Sequence, residues 1–295
     1  MDLPLLGTNP ELDELMQRAR DLGIEEHLLD LVMYGFTVIP PEKLAPPELT
    51  ERMRDAILRV YEQRTGHHIE DWRTYDGKLE ELQTWGYMLE DDVFLEAVHN
   101  PVFQTVGQFL TGKSGFLSGA TMIMKTREQE SDLALHSDSH GVPPPWPSYA
   151  TNANLSWLLT DYSSQEDGTT VLVPGSHRSR MPRRDEHLAH VEGHDAIKPI
   201  PLQGPAGSLA VWNGAMWHGS VRRTRPGMRI TLVHVWQRPY FRRIEQPKEF
   251  SAAQLERWPD LPKLFGYERI YPYRDETNSR DRTESTINAG LDQYA

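Results

Sequence analysis

Two histidines and one aspartate of this 295-residue chain have the side-chain types and spacing of a metal site. His136 and Asp138 are separated by one residue, so an extended backbone directs both side chains to the same side. His218 follows a short apolar segment and an Asn-Gly turn, which is a comparable place at the end of a strand. We predict that His136, Asp138 and His218 bind one metal ion.

The chemistry of these three donors narrows the choice of metal. The chain has no cysteine, so its available ligands are nitrogen and oxygen atoms. Two histidines and one carboxylate on one face of an octahedron leave three positions open. That arrangement suits a non-haem Fe(II) that must bind a co-substrate and oxygen together. Zinc accepts the same ligands, so the ligand types alone leave both metals open.

An arginine near the second histidine points to an anionic co-substrate. Arg229 begins an apolar strand, and an arginine directed into a sheet interior is costly unless its planar fork meets a carboxylate or phosphate. Ser220 could donate its hydroxyl to the same anion. We therefore predict that Arg229 and Ser220 bind an anion beside the metal. The alternative is an arginine that faces solvent.

Simpler interpretations of these histidines are open as well. His136 and Asp138 alone could be a surface pair at the end of a strand. A second group of histidines has helical spacing and could bind zinc, but its segment is polar almost all round, which is typical of a solvated helix. We interpret a histidine pair in an earlier loop in the same way. These residues are His187, His190 and His194, and His67 and His68.

Composition limits the classes of partner. The chain has 31 basic and 43 acidic residues and a formal net charge of -12, which argues against nucleic acid or an anionic membrane. Two local arginine clusters, around residues 222–229 and 178–184, still allow an anionic small molecule. The N-terminus lacks the features of a secretory signal, and no apolar run is long enough to span a bilayer. We expect a cytoplasmic protein with a small-molecule substrate, and its oligomeric state stays open.

Periodicity predicts the elements that carry these residues. Helical spacing indicates helices within 9–34, interrupted at Gly23, from about 46 to 63, and on both sides of Asn100-Pro101. Alternation then predicts strands at 35–39, 116–125, 153–161, 169–173, 197–201, 208–212 and 229–237. This order favours an antiparallel sandwich or barrel backed by N-terminal helices. We predict one domain over residues 1–273, with its β core at about 116–240, and a polar tail at 274–295.

The motifs together resemble the phytanoyl-CoA dioxygenase family of Fe(II)/2-oxoglutarate-dependent oxygenases, over roughly residues 35–239. No single motif is as specific as the combination. It consists of His136-x-Asp138, the Ser156-Trp157 strand, the Asp167-Gly168 turn before Val173-Pro174-Gly175-Ser176-His177, the segment Trp217-His218-Gly219-Ser220, and Arg229 eleven residues after His218.

The resemblance implies a double-stranded β-helix, or jelly roll, flanked by helices, and it implies Fe(II), 2-oxoglutarate and O2 as cofactor and co-substrates. It also implies a role for each matching residue. His136, Asp138 and His218 would bind iron, Arg229 and Ser220 would bind the distal carboxylate of 2-oxoglutarate, and Trp157 and Thr121 would line the pocket of the co-substrate.

The activity implied is hydroxylation of an unactivated carbon in a small organic molecule of secondary-metabolite or acyl type, with release of succinate and CO2. Halogenation is not expected, because halogenating relatives have glycine or alanine in place of the carboxylate of Asp138. Two rivals are a cupin-like metal isomerase or hydrolase that does not use 2-oxoglutarate, and a non-catalytic binding module. We expect the substrate near residues 139–150, Trp85, Tyr87, Met124 and Trp217.

Overall fold

Four α-helices of the described chain lie in the N-terminal third of the protein, as the helical periodicity predicts. The structure is a computed structural model that describes residues 10–80, 83–128, 132–179, 199–246 and 248–267. The predicted break at Asn100-Pro101 is confirmed, because the Asn100 side chain accepts hydrogen bonds from two amides of the next helix, at 2.9 and 3.2 Å. The helices are α1 (Pro10–Asp21), α2 (Glu25–Met33), α3 (Pro47–Thr65), α4 (Asp92–Val98), α5 (Pro101–Thr111), α6 (Ala252–Arg257) and α7 (Leu261–Leu264).

Strands dominate the rest of the described chain. Two long ones have the bounds that alternation predicts, and most of the others differ at their ends by one to three residues. Three short strands were not predicted, namely β2, β4 and β9. The strands are β1 (Phe36–Ile39), β2 (Gln83–Trp85), β3 (Phe116–Lys125), β4 (Leu133–His136), β5 (Asn152–Leu158), β6 (Thr170–Leu172), β7 (Ile200–Pro201), β8 (Leu209–Asn213), β9 (His218–Ser220) and β10 (Arg229–Gln237).

These strands form two antiparallel sheets. The larger has the order β1-β8-β5-β10-β3-β2, and the smaller has the order β4-β9-β6-β7. One apolar cluster joins residues of both sheets, including Leu172 of β6, Trp212 of β8 and Val233 of β10. The predicted jelly roll with flanking helices is therefore confirmed. Its larger sheet also includes β1 and β2, which precede the predicted β core.

The two faces of the larger sheet have different partners. Ile230, Leu232 and Trp236 of β10 belong to the main core, together with buried residues of α1 to α5. The intervening residues of β10 face the space between the sheets. The helices therefore cover the outer face of the larger sheet, and its inner face is left to form a site.

Several sequence predictions fall on residues that the structure does not describe. They are the histidine group at 187–194, the arginines at 180–184 and the tail at 274–295. The division into one domain stays a prediction. Among the helices of the described ranges, none combines the length and the apolar character needed to cross a membrane.

Candidate metal centre and adjoining cavity

The pairing of β4 with β9 brings the two predicted histidine ligands together. His136 and His218 are register partners across this antiparallel pair, and their ring centroids are 4.3 Å apart. Ser137 has extended backbone angles, so Asp138 points to the same side as His136. One ligand atom from each of His136, Asp138 and His218 lies within 4.8 Å of the others.

The histidine rings are oriented by backbone carbonyls. Nδ1 of His136 lies 2.9 Å from the Ala134 oxygen, and Nδ1 of His218 lies 3.0 Å from the Met216 oxygen. A carbonyl only accepts, so each Nδ1 carries the proton and each Nε2 presents its lone pair toward Asp138. The Nε2 atoms lie 3.5 and 3.4 Å from the two carboxylate oxygens of Asp138. Two neutral imidazole nitrogens and one carboxylate thus converge, and this donor set fits a divalent ion such as Fe(II).

Two hydrogen bonds fix the position of Asp138. Its amide donates to the Gly214 oxygen at 2.9 Å, and the Asn154 side chain donates to its carboxylate at 2.6 Å. Burial by itself would raise the pKa of Asp138, but His218, His136 and Asn154 together hold that pKa well below its ordinary value. The carboxylate is therefore ionised and oriented for a cation. Sequence reasoning missed Asn154, although an asparagine inside a strand of mostly apolar residues is a detectable signal.

Gly219 permits the close approach of the strands that carry the histidines. A Cβ at Gly219 would lie 2.4 Å from the Leu133 backbone oxygen, a distance that real Cβ atoms essentially never show. The glycine between His218 and Ser220 is thus required by the spacing of β9 and β4.

A cavity of about 650 Å³ lies between the sheets and includes all three candidate ligands. Thr121, Ser220 and Arg229 also line it, as does Trp85. Ser139, Gly141 and Val142 are the lining residues from the predicted substrate segment at 139–150. Most of the residues predicted to bind the metal or the co-substrate therefore line one cavity.

Trp157 does not line this cavity, and its predicted placement is wrong. Asn152 and Asn154 of β5 face the cavity, whereas alternation turns Trp157 to the helical side of the sheet. There its ring stacks on Phe103 of α5, with centroids 6.3 Å apart. Tyr87 and Met124 are likewise in the helical core, and Trp217 is not among the lining residues.

Arg229 points into the interior. It is 2% exposed, its guanidinium donates to the Gly168 oxygen, and it lies 5.3 Å from the centroid of the Tyr162 ring. Its Nε is buried without a hydrogen-bond partner within the described chain. The neighbouring arginines differ, since Arg223 donates to three backbone oxygens and Arg225 pairs with Glu166. Arg229 is thus the member of this cluster that lines the cavity.

A second cation, Lys125, adjoins Arg229, and sequence reasoning missed it. Lys125 is the register partner of Arg229 and is also 2% exposed. Its Nζ donates to the Ser220 hydroxyl at 2.8 Å and to the Val221 oxygen at 3.2 Å. The signal was present in the sequence, because Lys125 ends a mostly apolar strand on the same face as Thr121.

The candidate metal centre and the two cations are separated by a short stretch of strand. Ser220, which contacts Lys125, lies two residues after His218 on β9. Two residues of a strand span about 6–7 Å. A five-carbon dicarboxylate could therefore have its oxo-acid end at the metal and its distal carboxylate at Lys125 and Arg229.

The chain matches one protein family and several individual proteins. Residues 32–231 match the phytanoyl-CoA dioxygenase (PhyH) family. The uncharacterized protein Rv1501 of Mycobacterium tuberculosis is 29% identical over 131 residues, which cover 43% of this chain and 45% of that protein. The match therefore spans less than half the length of that relative. Dioxygenase af480 of Aspergillus fumigatus is 24% identical over 273 residues, or 88% of this chain and 82% of the relative.

Solved structures share the fold. HygX of Streptomyces hygroscopicus, crystallised with nickel and 2-oxoglutarate, superposes with a TM-score of 0.59 at 18% identity. The alignment covers 78% of this chain and 92% of HygX. At this identity the likeness shows a shared architecture.

Proposed function

The chain belongs to the phytanoyl-CoA dioxygenase family of non-haem Fe(II)/2-oxoglutarate-dependent oxygenases, and we propose that it hydroxylates an unactivated carbon of a small organic molecule. Succinate and CO2 are the co-products. The observation that carries this proposal is the convergence of two imidazole Nε2 atoms and one carboxylate in a cavity that is also lined by two buried basic side chains, Arg229 and Lys125.

In this proposal His136, Asp138 and His218 hold the iron. When bound, the iron supplies activation of O2, coupled to oxidative decarboxylation of 2-oxoglutarate. The protein fixes the ligands beforehand. Backbone carbonyls set the tautomer of both histidines, and Asn154 orients the carboxylate of Asp138. The ligand atoms therefore need little rearrangement to bind a cation.

Arg229 and Ser220 bind the distal carboxylate of 2-oxoglutarate. The guanidinium of Arg229 is buried, and within the described chain it forms no ion pair with a carboxylate. An anion at this point offsets the cost of burying that charge. Thr121 lies on the same face of β3 as Lys125 and borders the co-substrate.

The substrate occupies the other end of the cavity. Arg229 and Gln237 are at opposite ends of β10, about 27 Å apart along the strand. Toward Gln237 the wall includes the apolar side chains of Phe241 and Ile244 and the polar side chain of Asn152, the register partner of Gln237. Oε1 of Gln237 is buried without a hydrogen-bond partner in the described chain, so it is available to a donor on the substrate. This lining suits a mainly apolar molecule with at least one hydroxyl or N–H group.

Hydroxylation is favoured over halogenation because the carboxylate of Asp138 occupies the ligand position that a halide would need. The rival isomerase or hydrolase would have no anion to place at Arg229 and Lys125. A purely binding role has no need of three oriented metal ligands. Both rivals therefore explain less of the site.

The test is succinate release across a panel of small organic compounds, with product mass recorded in chloride-rich buffer. We expect release to require Fe(II), 2-oxoglutarate and one class of compound, and the product to gain one oxygen atom. Asp138→Ala, which removes one of the three candidate metal ligands, serves as the inactive comparison. Turnover without Fe(II) or 2-oxoglutarate, or a chlorinated main product from the wild type, would contradict the proposal.

A further inference from the structure

Two carboxamide side chains lie next to each other in the cavity, at the opposite end of β10 from Arg229. Asn152 of β5 and Gln237 of β10 are register partners, and directly opposite residues have Cβ atoms about 4.5–5.5 Å apart. Both line the cavity. They form no hydrogen bond with each other, since Oε1 of Gln237 has no partner in the described chain and Oδ1 of Asn152 accepts from two hydroxyls.

The amide of Asn152 is held in one orientation. Its Oδ1 accepts from the Ser139 hydroxyl at 3.1 Å and from the Thr151 hydroxyl at 3.0 Å. The carboxamide also packs flat on Gly214, where a Cβ would lie 2.3 Å from its carbon, nitrogen and oxygen atoms. The Nδ2 group donates to no residue of the described ranges. The oxygen is therefore committed to the protein, and the N–H groups are left for a ligand.

Gln237 supplies the complementary atom. Its Oε1 is buried without a donor among the described residues. A buried acceptor that lacks a donor destabilises the protein, so a ligand N–H or O–H group is the expected partner. Asn152 and Gln237 thus offer one donor and one acceptor, on neighbouring strands, to the same part of the cavity.

The ligand group at this end is uncharged. The charged or ionisable side chains among the described lining residues belong to the candidate metal centre or to the region of Arg229. Beside Asn152 and Gln237 the wall has the apolar side chains of Phe241 and Ile244. An ionic group placed here would lose its hydration and gain no counter-charge from these residues.

We infer that Asn152 and Gln237 bind an amide of the substrate whose C=O and N–H lie on one edge, as in a lactam or a primary amide. The C=O accepts from Nδ2 of Asn152, and the N–H donates to Oε1 of Gln237. A trans secondary amide has these two groups on opposite edges and satisfies only one partner. A hydroxyl must reach both partners with a single oxygen atom, whereas an amide edge divides the two bonds between two atoms.

The inference rests on the proposed function, because it takes this end of the cavity as the substrate site. It deepens that function by naming the chemical class of the substrate.

The amide site also lies close to the candidate metal centre. Asn154, which donates to Asp138, is the next residue on the same face of β5, and this step spans about 6–7 Å. Ser139, which donates to Asn152, directly follows Asp138. The carbon that is oxidised is therefore expected within a few bonds of the amide.

The experiment compares four ligands of similar size by titration calorimetry on protein saturated with Mn(II) and 2-oxoglutarate. The lactam is 3,4-dihydroquinolin-2-one, whose fused ring suits the wall at Phe241 and Ile244. Its N-methyl derivative lacks the N–H, propionanilide is its ring-opened trans amide, and 2-tetralol is an alcohol on a similar skeleton. We expect the lactam to bind at least about tenfold more tightly than each of the others, since each leaves a buried polar group unpaired or poorly paired.

Two variants test whether the carboxamide pair causes this preference. Gln237→Met removes the acceptor and should weaken lactam binding by about tenfold, with little effect on the N-methyl derivative. Asn152→Asp keeps the oxygen that Ser139 and Thr151 bind but replaces the donor with a second acceptor, and it should weaken lactam binding at least as much. Gln63→Met, at an exposed glutamine on α3, is the matched control and should resemble the wild type.

The outcomes separate this inference from the proposed function. Equal binding of the lactam and any of the other three ligands by the wild type, undetectable binding included, would overturn the inference. A lactam preference that persists in both Gln237→Met and Asn152→Asp would overturn it as well. The titrations are repeated on metal-free protein, so the lactam result is obtained even if 2-oxoglutarate shows no Mn(II)-dependent binding, which would contradict the proposed function instead.

Discussion

At the scale of residues, the site is defined by polar side chains that alternation turns toward the space between the sheets. His136, Asp138 and His218 were predicted from residue type and spacing, and the structure brings them together. Arg229 was singled out because an arginine that begins an apolar strand needs an anionic partner. The same reasoning applies to Lys125, which ends an apolar strand, and it would have found the second cation.

We predict that Arg229→Ala raises the 2-oxoglutarate requirement by about one to three powers of ten. The reason is the loss of a charged hydrogen-bonded pair, worth roughly 1.5–3 kcal/mol or more. Metal binding should change little, because Arg229 is not among the three converging ligands. The measurements are the apparent KM for 2-oxoglutarate and the metal content of the purified variant. An unchanged requirement would show that the distal carboxylate binds elsewhere.

At the scale of elements, the short strands β4 and β9 decide the geometry of the metal centre. Neither was predicted, because strands of four and three residues contain too few positions for alternation to be recognised. Their pairing is a tertiary contact that makes His136 and His218 direct partners. The identity of the ligands was therefore accessible from the sequence, but the contact that aligns them was not.

Gly219→Ala tests this pairing. The added methyl group would meet the Leu133 oxygen at 2.4 Å, so β9 must move away from β4 and separate the two imidazoles. We expect metal affinity to fall by at least tenfold, with a smaller change in overall secondary structure. Metal titration and circular dichroism are the measurements. Gly141→Ala is the matched control, because a Cβ there meets nothing within 4 Å. Equal metal affinity in Gly219→Ala and the wild type would show that the strand spacing is not critical.

At the scale of the whole molecule, a layer of helices packs on one face of the larger sheet, and the other face lines the cavity that contains the candidate site. The jelly roll and most of its long strands were predicted, since alternation and helical periodicity depend on local sequence. Which face of each strand meets the helices depends on register. That is why Trp157, Tyr87 and Met124 were predicted near the site but pack in the core.

The most direct test of the central claim is a crystal structure of the protein with Fe(II) and 2-oxoglutarate, grown without oxygen and measured at the iron absorption edge. We predict one anomalous peak at about 2.0–2.2 Å from Nε2 of His136, Nε2 of His218 and a carboxylate oxygen of Asp138. The distal carboxylate of 2-oxoglutarate should lie against Arg229. Iron bound elsewhere, or 2-oxoglutarate absent from this cavity at saturating concentration, would contradict the account.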